Sequence, residues 1–360
     1  MDWETYEDLL KLEPYSLSRA EKERAFSVLL SGLTDHHRKN CEPYGRMCAL
    51  LGDQAGTARA VKEIPMVPVS LFKKAELLSI PEAEIFKTMT SSGTSGQRTS
   101  RIFLDSKTAQ WQQRTLERIV SDFIGKKRLP MLIIDSPNVL RDRNLFSARG
   151  AGILGFSIFG TKRRYALNEQ MELDLPAIEA FLSEAGDGPV LIFGFTYMIW
   201  QYFYKALRAA GKTLPLSHAF LIHGGGWKKL QNEAVSAEAF CQGLFEVCGI
   251  KNVRNYYGMA EQTGCIYMEC ECGHLHASIF SDVLVRNMAD FSCCKNGTEG
   301  VIQVLTPMAW SYPGHSILTE DKGVILGEDD CACGRKGKYF KITGRIPKAE
   351  VRGCSDTYEG

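Results

Sequence analysis

The sequence has almost no excess of charge of either sign. Its 43 Lys and Arg residues are balanced by 42 Asp and Glu residues, so the net charge is +1 over 360 residues. A dedicated nucleic-acid-binding protein normally carries a basic excess or a basic stripe, so this balance argues against that class. The sequence also lacks repeats and low-complexity tracts. With 44% hydrophobic and 24% charged residues, it has the composition of a globular protein with a sizeable core.

Long hydrophobic runs are also missing. The most apolar stretch, 188–204, is interrupted by Pro189, Gly194, Thr196 and Gln201, and it is shorter than the ~20 apolar residues that cross a bilayer. The sequence begins with an acidic Met-Asp-Trp-Glu segment instead of an export signal. Its 12 cysteines therefore indicate thiols, ligands or nucleophiles before disulfides. We expect a soluble cytoplasmic protein without a membrane span.

Two apolar patterns alternate along the chain. Helical spacing dominates residues 1–80, and helical stretches recur at 108–124 and 198–210. Short apolar runs predict buried strands at 131–134, 190–193, 219–222, 300–305 and 338–342. Strands that alternate with helices indicate a largely parallel α/β sheet. Past residue 265 the helical pattern fades, so we expect a β-rich subdomain there.

A segment rich in hydroxyls and glycine lies at 90–97, Thr-Ser-Ser-Gly-Thr-Ser-Gly-Gln, between two short apolar runs. Glycines let a backbone turn its N–H groups toward an anion, and the hydroxyls add donors, so the segment fits a phosphate-binding loop. The Gly-Lys-Ser/Thr ending of a Walker A loop is absent from it. From these residues alone, a flexible surface turn is an equally good interpretation.

A second segment, 255–264, contains two tyrosines, a glycine and a carboxylate within seven residues. Tyr257 can stack on a base, Gly258 lets the backbone approach a phosphate, and Glu261 can hold Mg²⁺. A strand-end turn with a solvated glutamate would show the same pattern.

Two glycine-containing segments follow predicted strands. The first, 193–198, is a candidate wall for an acyl group, although aromatic stretches of this kind more often form ordinary core. The second, His223–Trp227, contains Gly225 and lies where α/β sheets place ligands, at the carboxyl end of a strand. Its alternative is a tight strand–helix turn in which Trp227 packs in the core.

Cysteine and histidine form two compact clusters, at 270–276 (Cys-Glu-Cys-Gly-His-Leu-His) and at 331–334 (Cys-Ala-Cys-Gly). Thiolate and imidazole are the ligands of tetrahedral zinc, and tight Cys-x-Cys-Gly turns can supply them. The spacing is not that of a standard zinc finger, so reduced thiols in β-turns are the alternative.

In their order and separation, the segments 90–97 and 255–264 resemble the adenylate-forming superfamily of acyl-CoA synthetases and related ligases. Two later segments fit the same superfamily. Leu318–Asp321 occupies the place of its ribose-binding aspartate motif, and Ile342–Arg345 matches the Gly-Arg hinge that precedes its mobile C-terminal domain.

A finer resemblance lies near the end of the sequence. The segments 333–340 and 344–358 resemble the acyl-protein synthetases of the bacterial bioluminescence fatty-acid reductase complex, within the phenylacetate-CoA ligase-like branch. This resemblance implies an α/β fold, the adenylate-forming core with mixed sheets, helices and a β-rich subdomain. The core would span 1–343, with a helical start at 1–80, an α/β part at 85–264 and the β-rich subdomain at 265–343.

Most superfamily members continue past the hinge into a lid domain that carries a catalytic lysine. This sequence ends 15 residues after Arg345. We therefore expect a short tail, 344–360, in place of a full lid, and the group that replaces the lid lysine stays open.

The resemblance implies sites for ATP and Mg²⁺. In this resemblance, the phosphates are bound by Ser91, Ser92, Gly93, Thr94 and Gly96. The adenine lies at Gly225 and at Tyr257, which is followed by Gly258. Glu261 binds Mg²⁺, Asp321 binds the ribose, and Arg345 contacts the nucleotide from the hinge. Many relatives have a lysine just after the phosphate loop, and Arg98 or Arg101 is the candidate substitute here.

The resemblance also implies a structural Zn²⁺ site with one cysteine and one histidine from the first cluster and two cysteines from the second. The expected ligands are Cys270, His276, Cys331 and Cys333, with Cys272 and His274 as substitutes.

Cys354 lies six residues before the end of the sequence, in Arg-Gly-Cys-Ser-Asp. These neighbours suit core packing poorly, and the guanidinium of Arg352 favours the thiolate, the form that attacks an acyl-adenylate. The acyl-protein synthetases that the chain resembles carry the acyl group on a cysteine in the same motif. An incidental surface or packed cysteine is the alternative.

These features together predict an ATP-dependent ligase. It would activate a fatty acid as acyl-adenylate and transfer the acyl group to a cysteine, for delivery to an acyl-protein reductase. An acyltransferase that supplies the fatty acid is a further candidate partner. The alternatives are a carboxylate–CoA ligase of the phenylacetate type and a non-catalytic zinc-containing scaffold. The sequence does not give the acyl chain length, the pathway or the oligomeric state.

Overall fold

The computed structural model of the protein describes residues 5–54, 56–90, 99–141, 148–227 and 232–346. The helices in these residues are α1 (Tyr6–Leu9), α2 (Arg19–Asn40), α3 (Glu42–Leu50), α4 (Leu71–Lys74), α5 (Ser106–Ile124), α6 (Asn138–Arg141), α7 (Ala148–Phe156), α8 (Leu175–Ala185), α9 (Thr196–Met198), α10 (Lys205–Ala209) and α11 (Ala237–Cys248). A π-helical turn, Ile199–Tyr204, joins α9 to α10.

The strands in the same residues are β1 (Val67–Pro68), β2 (Lys87–Thr90), β3 (Arg101–Leu104), β4 (Leu129–Ile134), β5 (Gly160–Tyr165), β6 (Val190–Phe195), β7 (Ala219–Gly224), β8 (Asn252–Tyr257), β9 (Tyr267–Glu269), β10 (Leu275–His276), β11 (Asp282–Arg286), β12 (Gly300–Leu305), β13 (Ser316–Glu328) and β14 (Lys338–Arg345). All five runs that the sequence predicts to be strands lie inside these elements, and both helical stretches past residue 85 are confirmed.

The chain divides into two compact units. The first combines Met1–Val120 with Gly258–Glu350, and the second is built around Ser121–Tyr257. The first unit therefore consists of two stretches that are far apart in the sequence.

The second unit contains a parallel sheet with the strand order β5-β4-β6-β7-β8. All six residues of β6 are buried, as is usual for a parallel strand with covered faces, and this explains its nearly continuous apolar sequence. Side chains from α8, α11 and the helical segment after β6 pack on this sheet, among them Phe181, Phe203 and Leu244. The sheet places the turns after β6 and β7 at one edge, since the carboxyl ends of these parallel strands point the same way.

The first unit contains an antiparallel sheet with the order β11-β12-β13-β14-β10-β9, and β1 adds to β13 in parallel. The expected β-rich character past residue 265 is thus present. The hairpin β2–β3 forms a separate sheet in which Thr90 is paired with Arg101. Its connection, 91–98, lies outside the described residues.

Helix α2 is the longest helix of the first unit. It begins with a capping box, in which the Glu21 side chain accepts a hydrogen bond from the Ser18 backbone N–H at 2.8 Å. Its buried residues recur at helical spacing, as at Phe26, Leu30 and Leu33. Apolar burial of this face holds the helix in the unit, because a helix gains most of its stability from such packing.

A buried charge cluster also holds α2. The Asp282 carboxylate at the start of β11 pairs with Lys22 Nζ of α2 at 3.3 Å and with Lys338 Nζ at the start of β14 at 2.6 Å. Burial alone would raise the pKa of Asp282, but the two ammonium groups outweigh it and hold this pKa below its usual value. The cluster therefore ties one helix and two strands together.

No helix in the described ranges combines the length and the apolar character that crossing a membrane requires.

We expect Asp282→Asn to lower the free energy of unfolding at pH 7 by about 3–5 kcal/mol, because two buried ammonium groups lose the carboxylate that they contact directly. A carboxyl whose pKa falls on folding adds stability above its unfolded pKa of about 3.9, and this contribution is lost as the pH falls through the folded value. The free energy of unfolding, measured with urea between pH 7 and pH 3, should therefore fall less with acid in the variant than in the wild type.

The matched control is Glu42→Gln, whose ion pair with Arg46 lies on the surface. Exposed pairs contribute about 0–1 kcal/mol. If Asp282→Asn lowers the free energy of unfolding no more than Glu42→Gln does, the role given to the charge cluster is contradicted.

Candidate active site and metal centre

Glu261 lies in a short 3-10 turn, Ala260–Gln262, which follows β8 in the chain. Its side chain is buried, with 2% of the residue exposed. Ser100 Oγ donates a hydrogen bond to Glu261 Oε1 at 2.7 Å, and the Tyr312 hydroxyl donates to the Glu261 main-chain oxygen at 2.8 Å. The carboxylate is therefore fixed rather than solvated, which removes the solvated-turn alternative for this segment.

The backbone around Glu261 is fixed by its neighbours. The Gln262 amide donates to the Gly314 oxygen at 2.8 Å and to the Val304 oxygen at 3.3 Å. Gly264 has φ +93°, and a Cβ there would lie 2.5 Å from the Gln112 main-chain oxygen. A side chain at this position would meet both backbone strain and a steric clash, so glycine is required.

Asp321 and Arg345 lie opposite each other on β13 and β14. Asp321 is buried, and its Oδ1 is 3.3 Å from Arg345 Nε. Arg345 Nη2 also bonds Glu320 Oε2 at 3.2 Å. The two residues expected at the ribose and at the hinge therefore contact each other, and the structure adds Glu320, which sequence reasoning missed.

In the second unit, the turn after β7 contains Gly225 with φ +71°. Thr196 Oγ1 donates to the Gly225 oxygen at 2.7 Å, and His223 Nδ1 lies 2.9 Å from the same hydroxyl. A hydroxyl has one proton, so His223 is the donor in the second bond. Burial lowers the pKa of His223 to about 3, which keeps the ring neutral at physiological pH. Thr196 belongs to the segment 193–198, for which the sequence suggests an acyl-group wall and not this hydrogen bond to the Gly225 turn.

The aromatic residues near this turn pack as core. Trp227 lies against Trp200 and Phe240, as its packing alternative predicts. The Phe193 ring stacks on Phe156 with centroids 4.3 Å apart, and Phe193 is fully buried. The segment 193–198 thus contributes to the core of the second unit.

Tyr257 ends β8 and is 1% exposed. It is expected beside the adenine, and its ring belongs to the buried part of the second unit. Ser91, Ser92, Gly93, Thr94, Gly96, Arg98 and Cys354 lie outside the described residues. Arg101, the other candidate cation after the phosphate loop, forms a surface ion pair with Glu76.

The four expected zinc ligands come together in the first unit. The Sγ atoms of Cys270, Cys331 and Cys333 and a ring nitrogen of His276 all lie within 4.8 Å of one another. Cys270 Sγ is 3.9 Å from Cys331 Sγ, and Cys333 Sγ is 3.4 Å from His276 Nε2. Two sulfurs on one tetrahedral zinc would be about 3.8 Å apart, given Zn–S bonds of about 2.3 Å. The cluster therefore has the size that this metal requires.

Two tight turns present these side chains. In the β9–β10 hairpin, Gly273 has φ +75° and donates its N–H to the Cys270 oxygen at 3.0 Å. In the β13–β14 connection, Gly334 does the same for the Cys331 oxygen, also at 3.0 Å. The Cys272 backbone N–H donates to Cys270 Sγ at 3.3 Å, as in a metal-binding knuckle.

The two substitute ligands are placed differently. Cys272 is exposed, so its side chain lies away from the cluster. His274 Nδ1 is 3.4 Å from Cys331 Sγ, and its ring stacks on Tyr339. Burial lowers the pKa of His276 to about 4, and a neutral imidazole is the form that binds a metal.

Known proteins are similar to this chain over almost its whole length. Residues 3–359 match the family described as acyl-protein synthetase, LuxE. A long-chain-fatty-acid–luciferin-component ligase from Vibrio harveyi is 23% identical over 359 residues, which cover 95% of this chain and 89% of that protein. Its counterpart from Aliivibrio fischeri is 23% identical over 89% of this chain and 84% of that protein.

Among solved structures, an open conformation of 2-hydroxyisobutyryl-CoA ligase superposes with a TM-score of 0.70 at 16% identity. The match covers 95% of this chain and 79% of that one. This likeness shows that the fold is the α/β fold of that CoA ligase, as the sequence predicts. With the family match across residues 3–359, it follows that the chain belongs to the LuxE family of acyl-protein synthetases.

Proposed function

We propose that the protein activates a long-chain fatty acid with ATP and transfers the acyl group to its own Cys354 as a thioester. The observation that carries this proposal is the family match over residues 3–359, together with two relatives named as long-chain-fatty-acid–luciferin-component ligases. Glu261 supports it as well, because this residue is buried and held by hydrogen bonds from Ser100 and Tyr312, whereas a glutamate in a solvated surface turn would lack such contacts.

The proposed reaction has two steps. A carboxylate oxygen of the fatty acid attacks the α-phosphorus of ATP, the bond to pyrophosphate breaks, and an acyl-adenylate forms. A cysteine thiolate then attacks the acyl carbonyl, the bond to AMP breaks, and the thioester remains on the protein.

An acyl-protein reductase would consume this thioester, and an acyltransferase is a candidate source of the fatty acid. We place the adenylating core at 1–343 and the protein in the cytoplasm.

Nucleotide binding is assigned residue by residue. Ser91, Ser92, Gly93, Thr94 and Gly96 are proposed for the phosphates, Gly225, Tyr257 and Gly258 for the adenine side, and Asp321 with Arg345 for the ribose and the hinge. The fixed main chain at Gly225 and the buried Asp321–Arg345 pair support these roles, because preorganised groups bind with a smaller loss of entropy.

Glu261 is proposed to hold Mg²⁺. Proteins bind this ion through one or two carboxylates together with substrate phosphates, and a single fixed carboxylate after β8 fits that pattern. The ion would neutralise charge on the phosphates as pyrophosphate leaves. The part of this chain is to hold Glu261 in place, through the Ser100 bond to its carboxylate and the Tyr312 bond to its main-chain oxygen.

The cluster of Cys270, His276, Cys331 and Cys333 is proposed to bind Zn²⁺ in a structural role. Four protein ligands leave no open position for chemistry. The ion would join the β9–β10 hairpin to the β13–β14 connection, and so stabilise the strands that carry Asp321 and Arg345.

We expect Glu261→Gln to lower the rate of fatty-acid-dependent pyrophosphate release by about a hundredfold or more, because the phosphates lose several kcal/mol of charge stabilisation. The amide oxygen keeps an acceptor for Ser100, so the fold should be unaffected. Glu299→Gln, on the surface beside Lys322, is the control and should match the wild type. A rate for Glu261→Gln within about threefold of wild type would remove the metal assignment.

Cys354→Ser should still release pyrophosphate but retain no hydroxylamine-sensitive acyl label, since an oxygen ester resists hydroxylamine under conditions that cleave a thioester. The measurement uses radiolabelled fatty acid and denaturing electrophoresis. The matched control is Cys241→Ser, which changes an exposed thiol of α11 and should label normally. If Cys354→Ser labels like wild type, the acceptor lies elsewhere; acyl transfer to free CoA would favour the phenylacetate-type ligase instead.

Metal analysis of the purified protein should give about one zinc per chain, and Cys331→Ser should lose it together with thermal stability, because metal binding energy is folding energy. Cys272→Ser, which changes an exposed side chain, should keep the metal. A zinc content below about 0.3 per chain in the wild type would refute the proposal.

A further inference from the structure

The Glu261 carboxylate depends on a donor that lies far away in the sequence. Ser100 and Glu261 are 161 residues apart, yet both are buried and their oxygens are 2.7 Å apart. This distance is the usual one for a hydrogen bond that a hydroxyl donates to an oxygen. The single hydroxyl proton of Ser100 is thus committed to Glu261 Oε1.

The main chain of Glu261 is held separately from its side chain. Tyr312 is fully buried and donates its hydroxyl to the Glu261 oxygen at 2.8 Å. The bonds from Gln262 to Gly314 and Val304 fix the following residue. With the backbone fixed in this way, the remaining freedom lies in the side-chain torsions of Glu261, and the hydrogen bond from the Ser100 hydroxyl restricts them.

We propose that Ser100 is a positioning residue, which orients the Glu261 carboxylate for a divalent cation bound with a nucleotide. The inference rests on the function proposed for Glu261 and extends it to a residue outside the motifs. Ser100 acts through Glu261, as outer-shell partners do when they orient a metal-binding carboxylate, and loss of such a partner typically lowers metal affinity by about 10–100-fold.

The test measures cation affinity directly and does not depend on turnover. Mn²⁺ binding to the full chain is followed by electron paramagnetic resonance in the presence of an ATP analogue with a methylene bridge between the α- and β-phosphates. Ser100→Ala should raise the dissociation constant of Mn²⁺ by about 10–100-fold. Ser100→Thr, which restores a hydroxyl, should recover most of this loss.

Thr306→Val is the matched control. Thr306 is buried in the same unit and donates its hydroxyl to the Phe280 oxygen at 2.9 Å. This variant loses that bond and the one that the hydroxyl accepts from the Met308 N–H at 3.2 Å, so its melting temperature should fall at least as much as that of Ser100→Ala. Its Mn²⁺ affinity should stay within about twofold of wild type, because it does not touch Glu261.

Three results separate the possibilities. If Ser100→Ala binds Mn²⁺ like wild type while Glu261→Gln does not, Ser100 has only a structural role and the inference is overturned, although the function proposed for Glu261 stands. If Glu261→Gln also binds Mn²⁺ like wild type, both are overturned. Equal weakening of Mn²⁺ binding by Ser100→Ala and Thr306→Val would show a general loss of packing and would also overturn the inference.

Discussion

A carboxylate that is removed from water must find opposite charge or hydrogen-bond donors where it lies, and the first unit is organised around this requirement at Asp282. Two ammonium groups meet it there, one from α2 and one from the start of β14. Because Lys338 follows the second cysteine turn by only a few residues, the same contact helps to place Cys331 and Cys333. The helical start of the chain, the antiparallel sheet and the Cys/His cluster thus share one electrostatic anchor.

The described candidate site residues have one physical property in common: their polar atoms are held before any ligand arrives. Glu261 is held by Ser100 and Tyr312, and the Gly225 turn is held by Thr196. Groups that are already oriented need little reorganisation when charge appears beside them, which is the main way in which proteins stabilise charged intermediates. The cost is a set of buried polar groups, and those of Glu261 and of the Gly225 turn are acceptable because they have hydrogen-bond partners.

The features that could be predicted from the sequence are those that local residue patterns encode. Apolar runs located the strands β4, β6 and β7. The two Cys/His segments pointed to a cluster, and the family resemblance pointed to the four residues that the structure brings together, Cys270, His276, Cys331 and Cys333. Sequence reasoning could not reach the contact between Ser100 and Glu261, since 161 residues separate them and no periodicity records which two buried polar groups meet. The Tyr312 contact depends in the same way on how distant segments meet, which is a property of the whole fold.

The discontinuity of the first unit has a consequence for the order of events on the ribosome. Lys22 and its partner Ala277 are 255 residues apart, and at about 5–20 residues per second the second is synthesised on the order of ten to fifty seconds after the first. The strands of the second unit, by contrast, are contiguous in the chain and can pair while synthesis continues. The part of α2 that meets Asp282, Ala309 and His315 therefore stays uncovered until the last third of the chain emerges, and nascent chains at this stage should be the ones that chaperones engage.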